Sequence, residues 1–86
     1  MREFEKILKA LANKRRLEIL KYLKSKKEAN VGSIAEKIKL SFKSTSRHLA
    51  ILLAVDILTK EQRSLEAFYS ISPELSQMAK DIIFKI

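Results

Sequence analysis

The sequence contains no cysteine, and it has only one glycine, one proline and one histidine among its 86 residues. A chain without cysteine can form neither a disulfide nor a thiolate metal site. One histidine, His48, cannot build a transition-metal site either, so we expect no metal and no cofactor. Because Gly32 and Pro73 are the only helix breakers of their kind, the composition predicts a helix-rich chain with tight connections and no flexible linker.

Long apolar runs are also missing. The longest, from Leu49 to Val55, is too short to span a bilayer. The N-terminus lacks the uninterrupted apolar stretch of a signal peptide, so we expect a cytoplasmic protein with no membrane partner. No nucleophile with a histidine and an acid, and no phosphate-cradling glycine loop, is present, so we do not expect an enzyme.

What the chain has in excess is positive charge. Lys and Arg number 18 against 10 Asp and Glu, which gives a formal charge of +8 and a pI near 9.9. Residues 1–40 hold 12 of the basic and 5 of the acidic groups. This balance favours a polyanionic partner such as nucleic acid. The alternatives are a lysine-rich solvated surface and an anionic membrane, although no long amphipathic helix joins basic and apolar faces.

Apolar spacing and capping residues predict five helices. Asn13, Asn30 and Ser41 are suitable N-caps, and Ser72 is expected to cap the last helix with Pro73 at its first position. The predicted helices cover residues 2–11, 14–24, 31–38, 42–55 and 74–86.

The segment after the fourth helix changes period. β-Branched and aromatic residues predict strands over residues 57–62 and 66–71. The polar centre between them, Glu61 to Ser64, is the expected hairpin tip, and its lack of glycine favours a loop of more than two residues. Helices followed by a hairpin and a closing helix indicate a winged helix-turn-helix: one mostly α domain over residues 1–86 with a small β-hairpin wing.

The fourth helix begins polar and cationic and ends apolar. Thr45, Leu49 and Leu52 share the spacing of a buried stripe. The opposite side of the helix start would then face outward, where a DNA major groove accepts one helix. A solvated polar helix start is the alternative. The outward residues are Phe42, Lys43, Ser44, Ser46 and Arg47.

Three blocks, "LANKRRLEILKYL", "VGSIAEKIKLSFKSTSRHLAIL" and "ILTKEQRSLEAFYSIS", resemble the ArsR family of winged-helix transcriptional repressors. The resemblance implies double-stranded DNA as the partner of the fourth helix, and it places Arg16 on a recurrent arginine. His48 is expected either to pack half-buried or to contact a phosphate. The wing would reach flanking DNA through Lys60, Gln62 and Arg63.

The chain departs from the family pattern at several positions. Lys39 replaces the turn glycine and Asp56 the glycine before the wing, where φ is often positive. Asn30 and Gly32 stand where metal-sensing members carry two cysteines, so the chain is not expected to be a metal sensor of that design.

The first and last helices have apolar faces too wide for so small a core. The resemblance implies a homodimer built from these two helices. A last helix that folds back on its own domain is the alternative, and the apolar segment Leu53–Val55 is expected to meet either the first helix or an unidentified partner. The expected dimer residues are Phe4, Ile7, Leu8, Leu75, Met78, Ala79, Ile82, Ile83 and Ile86.

Together these features predict a homodimeric repressor on a near-palindromic operator, with no effector specified. Two rivals remain. One is a winged helix that binds another protein, and the other is a non-specific architectural DNA coater that uses the basic first half.

Overall fold

The computed structural model describes all 86 residues, which form five helices and three strands. This order confirms the predicted winged helix-turn-helix with its hairpin wing. No helix is both long enough and apolar enough to cross a membrane. The elements are α1 (Arg2–Leu11), α2 (Lys14–Lys26), β1 (Glu28–Ala29), α3 (Val31–Ile38), α4 (Phe42–Ala54), β2 (Leu58–Arg63), β3 (Glu66–Ile71) and α5 (Gln77–Lys85).

Side-chain caps determine where the middle helices begin. The side-chain oxygens of Asn13, Asn30 and Ser41 each accept a hydrogen bond from the backbone N–H three residues later, which confirms all three predicted caps. Such a cap satisfies a donor that the helix itself leaves free and stabilises by about 1 kcal/mol. Helix α2 extends two residues beyond its predicted end, and α4 ends one residue earlier than predicted.

The predicted start of the last helix, residue 74, is wrong. Ser76 caps α5, and the helix begins at Gln77. The hydroxyl of Ser72 instead accepts a hydrogen bond from the backbone N–H two residues later, which closes a turn around Pro73. Two serines compete for the same role here, and the local turn of the first moves the helix start to the second.

The wing hairpin is tighter than its sequence predicted. β2 and β3 are antiparallel, and Arg63 lies opposite Glu66, so the loop is only Ser64 and Leu65. The expectation of a longer loop was therefore wrong. Ser64 adopts a φ of 57°, the left-handed conformation that a two-residue hairpin turn needs and that glycine usually provides.

A third strand was not predicted. β1 pairs with β3, with Glu28 opposite Ser70 and Ala29 opposite Tyr69, so the sheet order is β1-β3-β2. Two residues are too few to show the alternation by which a strand is identified in a sequence. The positive φ of Lys27, 82°, turns the chain out of α2 and into this strand.

One hydrophobic core of 14 buried residues joins all five helices and the sheet. The inner stripe of α4 is confirmed, because Thr45, Leu49 and Leu52 are all 0% exposed. The core residues are Ala10, Leu11, Ile19, Leu20, Leu23, Ala29, Ile34, Ile38, Leu49, Leu52, Ile57, Leu58, Tyr69 and Ile83.

The two residues that replace turn glycines of the family pattern adopt the expected conformation. Lys39 has a φ of 56° and Asp56 a φ of 59°, so both lie in the left-handed region. This conformation costs about 1 kcal/mol for a residue with a Cβ. The one glycine, Gly32, lies inside α3 and relieves neither turn.

Candidate nucleic-acid interface

The first six residues of α4, Phe42 to Arg47, form an outward-facing polar surface that we call the α4 head. Phe42 is 64% exposed, Lys43 and Arg47 are exposed, and Ser44 and Ser46 are half-buried. Neither cation takes part in an ion pair within the chain. Because the buried stripe behind the head anchors the helix, the structure presents two free cations and a phenyl ring on a rigid support.

Arg16 is bound to its own chain. Its Nε donates to the carbonyl of Ala10 at 2.6 Å, and its Nη2 donates to the carbonyl of Lys9 at 3.1 Å. These are carbonyls of the last turn of α1, which has no further helical partner for them. The Nη1 atom lies 3.1 Å from Nδ1 of His48. Arg16 therefore ties α1 to α4, and its guanidinium is largely occupied.

His48 lies half-buried beside this guanidinium, on the flank of α4. Burial lowers the pKa of its imidazole, and the positive charges of Arg16, Arg15 and Arg47 lower that pKa further. The neutral ring accepts the hydrogen bond from Arg16 at Nδ1, which assigns the ring proton to Nε2. His48 is thus a packing partner of Arg16 whose outer ring atom remains a donor.

The arginine of the wing is also engaged within the chain. Nη2 of Arg63 lies 2.8 Å from Oε1 of Glu28 and 2.6 Å from Oε1 of Glu61. Its guanidinium stacks over the ring of Phe68, 4.7 Å from the centroid. The hydrogen bond from Arg63 lowers the pKa of the Glu28 carboxyl, and the two carboxylates raise the pKa of Arg63. Both effects favour the charged, paired forms.

The rest of the wing offers little positive charge. Lys60 is exposed and unpaired, whereas the amide of Gln62 donates to the carbonyl of Ser64 at 3.2 Å. Leu65 at the tip is 95% exposed, a residue that sequence analysis missed because a lone leucine in a polar segment carries no periodic signal. Of the three predicted wing residues, only Lys60 is therefore free.

A cleft of about 390 Å³ separates the start of α3 from the α4 head and the wing tip. Asn30 and Gly32 lie on its wall, and the amide of Asn30 donates to Glu66 at 2.7 Å. No group of three or more His, Cys, Asp or Glu residues in the structure is arranged to hold a metal ion. The full lining is Asn30, Val31, Gly32, Phe42, Gln62, Leu65, Glu66 and Ala67.

The residues expected at a dimer interface fall into two groups. Ala79 and Ile83 are buried at 1% and 4% exposure within their own chain, because α5 packs against α2. Phe4 and Leu8 on α1 are 54% and 48% exposed. Ile7, Leu75, Met78, Ile82 and Ile86 are half-buried.

Two further apolar features bear on that interface. Sequence analysis missed Phe84, which is 83% exposed, because it lies off the apolar stripe of α5. In the segment Leu53–Val55 only Ala54 is exposed, and both neighbours pack against the core of their own chain. Phe84, Phe4 and Leu8 are thus the apolar side chains that the first and last helices leave uncovered.

Comparisons with known proteins agree with this geometry. A family model described as "Bacterial regulatory protein, arsR family" matches residues 13–60. The arsenical resistance operon repressor of Bacillus subtilis (strain 168) is 32% identical over 74 residues, which cover 86% of this chain and 70% of that protein. The transcriptional activator HlyU of Vibrio cholerae is 36% identical over 66 residues, or 77% of this chain and 60% of that protein.

Solved structures give the same result. NolR from Sinorhizobium fredii is 32% identical, with a TM-score of 0.83 over 98% of this chain and 80% of that one. A homodimeric winged helix-turn-helix DNA-binding domain from Mycobacterium bovis is 24% identical, with a TM-score of 0.81 over 96% of this chain and 73% of that one. The second likeness concerns the fold alone. The family match spans more than half of the chain, and the chain therefore belongs to the arsR family of bacterial regulatory proteins.

Proposed function

We propose that the chain binds double-stranded DNA sequence-specifically and represses transcription as a cytoplasmic homodimer on a near-palindromic operator. The α4 head is the observation that carries this proposal, since its cations are exposed and unpaired while the opposite side of the helix is buried. A B-DNA major groove about 12 Å wide admits one helix, and the first residues of that helix meet the base edges.

Each residue of the α4 head has a matching chemistry in the groove. Arg47 or Lys43 suits O6 and N7 of guanine or a phosphate, and the ring of Phe42 suits a thymine methyl. Ser44 and Ser46 suit either phosphates or base edges. His48 acts mainly by fixing α4 against Arg16, and its outer nitrogen is available to a phosphate.

The dimer would bury the uncovered apolar side chains of α1 and α5. Phe4, Leu8 and Phe84 are too large to be left in water without cost, and two copies would cover them across a two-fold axis. Two α4 heads would then enter major grooves about 34 Å apart, which requires a near-palindrome.

Repression follows if the bound dimer covers promoter DNA. A relative named as a repressor and one named as an activator are similar to the chain to nearly the same degree, so the sign of regulation needs its own test. A reporter placed behind the selected operator should become less active when the chain is expressed. A more active reporter would make the chain an activator.

Selection from a random duplex pool tests sequence-specific binding. We expect an enriched near-palindrome whose half-sites are one helical turn apart, with an affinity that falls steeply as salt rises. Equal affinity for selected and random duplexes would indicate a non-specific coater. Absent or salt-insensitive binding would favour a module that binds protein.

Arg47→Ala tests the α4 head directly. Loss of a base or phosphate contact should weaken binding to the selected duplex by about 1–3 kcal/mol, measured by fluorescence anisotropy. Lys80→Ala, which removes an exposed cation from α5, is the matched control and should change little. An affinity loss equal to that of the control would remove Arg47 from the reading surface.

A further inference from the structure

A wide, polar groove runs between α2 and α3. Its volume is about 760 Å³, and only two of its nine lining residues are hydrophobic. Six of the nine carry a formal charge, so the groove suits an ionic partner. Its charged residues are Arg15, Glu18, Lys21, Lys26, Lys37 and Lys39.

The lysines of this α2–α3 groove are free. Arg15 donates to the carbonyl of Ile38 at 2.6 Å and to Glu18 at 3.1 Å, so the single acid of the groove is paired. No carboxylate in the chain pairs with any of the four lysines, all of which are exposed. Four exposed ammonium groups therefore line one concave surface without a carboxylate partner.

The wing has the opposite character. Its two cations are Lys60 and Arg63, and three carboxylates surround them on β1 and the wing strands: Glu28, Glu61 and Glu66. Since Arg63 is bound to two of these acids, Lys60 is the one free cation in the hairpin. The hairpin itself holds two acids and two bases, and Glu28 on the neighbouring β1 adds a third carboxylate, so the wing offers phosphates no net positive charge.

The groove is continuous with the α4 head. Lys39 lies at its edge and is also the first residue of the turn that joins α3 to α4. Only Leu40 and Ser41 separate it from the first residue of the α4 head, and its left-handed backbone turns the chain directly into that helix. A duplex seated on the α4 head would therefore have Lys39, at the edge of the groove, beside it.

We propose that the α2–α3 groove holds the phosphate backbone of the bound duplex and replaces the wing as the chain's main backbone contact. This inference rests on the proposed DNA-binding function and assigns it a second surface. Lysines suit phosphates as point charges that adapt to the spacing of the backbone, and their contacts carry no sequence information. The groove thus contributes affinity, while the α4 head contributes specificity.

The salt dependence of binding tests the groove. The probe is a random-sequence duplex of about three helical turns, and the variant is the double substitution Lys21→Gln/Lys37→Gln. The slope of log K against log salt should become shallower by about 0.9 for each lysine that no longer contacts a phosphate. Lys6→Gln/Lys80→Gln removes two equally exposed cations outside the groove and controls for net charge.

Chemical footprinting tests the groove without any substitution. The wild-type chain is acetylated at its amines with and without the duplex, and each lysine is quantified by mass spectrometry. Lys21, Lys26 and Lys37 should be protected by DNA, whereas Lys60 on the wing should stay reactive. Protection of Lys60 with unchanged groove lysines would overturn the proposal and return the backbone contact to the wing.

The outcomes distinguish a failure of the groove proposal from a failure of the proposed DNA-binding function. A wild-type chain that binds DNA with equal slopes for the groove and control pairs would overturn the groove alone. A wild-type chain that binds neither random nor selected duplexes would overturn both. Groove lysines that remain reactive in a DNA complex would overturn the groove as a backbone contact as well.

Discussion

Among single residues, Thr45 has the least favourable surroundings. Its side chain is 0% exposed on the inner face of α4, and its Oγ1 has no hydrogen-bond partner. A buried hydroxyl without a partner costs about 1–3 kcal/mol relative to one that is satisfied. The helix that carries the α4 head is therefore held by good packing and weakened by one polar atom.

Replacing Thr45 by valine should stabilise the fold, because valine has the same shape without the hydroxyl. We expect the free energy of unfolding in urea to rise by about 1 kcal/mol. Thr59→Val is the matched control, since its hydroxyl is exposed and bonded to Ser70 at 3.1 Å, and it should bring no gain. A destabilised T45V variant would mean that the hydroxyl has a partner in solution.

His48 should make stability depend on pH. The folded chain holds the pKa of this imidazole below its ordinary value of 6.5, so the unfolded chain binds the extra proton more readily. The free energy of unfolding should therefore fall as pH drops below 6.5, and the loss should stop once the folded form is protonated too.

His48→Asn keeps a hydrogen-bond acceptor for Arg16 but does not titrate. Urea unfolding between pH 7 and pH 5 should show a flatter profile for this variant than for the wild type. Glu28, whose pKa is also lowered, loses its stabilising effect only below about 4.5, so the two windows are distinct. Identical profiles for H48N and wild type would remove His48 as the source.

Among the structural elements, the wing is held to its own chain by Arg63, a residue predicted to contact DNA. Arg63 joins β1 to the hairpin through Glu28, and its guanidinium lies over the ring of Phe68 on β3. The wing is therefore fastened to the body of the chain by the very cation expected to reach DNA. Its free tip is apolar.

Glu28→Gln should loosen Arg63, which Glu61 still holds, and increase DNA affinity. The substitution removes one negative charge beside the wing and weakens a contact that both pKa shifts favour. We expect tighter binding to a random duplex by fluorescence anisotropy, with a steeper salt slope. Glu74→Gln, an equal charge change on an exposed turn, is the control, and an equal gain for both variants would show that only net charge matters.

Helices were easier to predict than strands, for a physical reason. Three caps and four helix starts follow from residues within one turn of each other, so the sequence contains the whole cause. β1 depends on pairing with β3, about forty residues away, and its two residues have no pattern of their own. The start of α5 was missed because Ser72 and Ser76, four residues apart, are both suitable local caps.

In the candidate site, too, some features follow from the local sequence and others depend on tertiary contacts. The outward direction of the α4 head follows from the buried stripe, which the sequence displays in full. The fate of Arg16 and Arg63 does not, because their partners come from α1, α4 and β1 and meet only in the folded chain. The sequence does not show whether an arginine is free to bind DNA or is bound within its own chain, because tertiary contacts decide it.

For the whole molecule, the proposed DNA surface and the uncovered apolar side chains of the terminal helices lie on different elements. Unpaired cations lie on the α4 head and in the α2–α3 groove, whereas Phe4, Leu8 and Phe84 lie on α1 and α5. Lys24 even extends over the ring of Phe84, 6.0 Å from its centroid, and donates to the carbonyls at the end of α5. In the proposed dimer, one molecule would therefore bind DNA and a second copy through different elements.

Phe84→Asp should weaken the proposed dimer. A charged group within the proposed apolar interface would lose its hydration, so the variant should elute later than the wild type in gel filtration with light scattering. Leu65→Asp makes the same type of change at the exposed wing tip and should leave the oligomeric state unchanged. A Phe84→Asp protein of unaltered size would place the interface elsewhere.

The four non-glycine residues at positive φ also affect the denatured chain. Lys27, Lys39, Asp56 and Ser64 all have a positive φ, which costs a residue with a Cβ about 1–2 kcal/mol in the left-handed region. Each side chain also restricts the unfolded chain more than a glycine would, which offsets roughly 0.4–1 kcal/mol of that cost. The offset is partial, so the glycine-free turns leave a net loss of stability that replacement by glycine would recover.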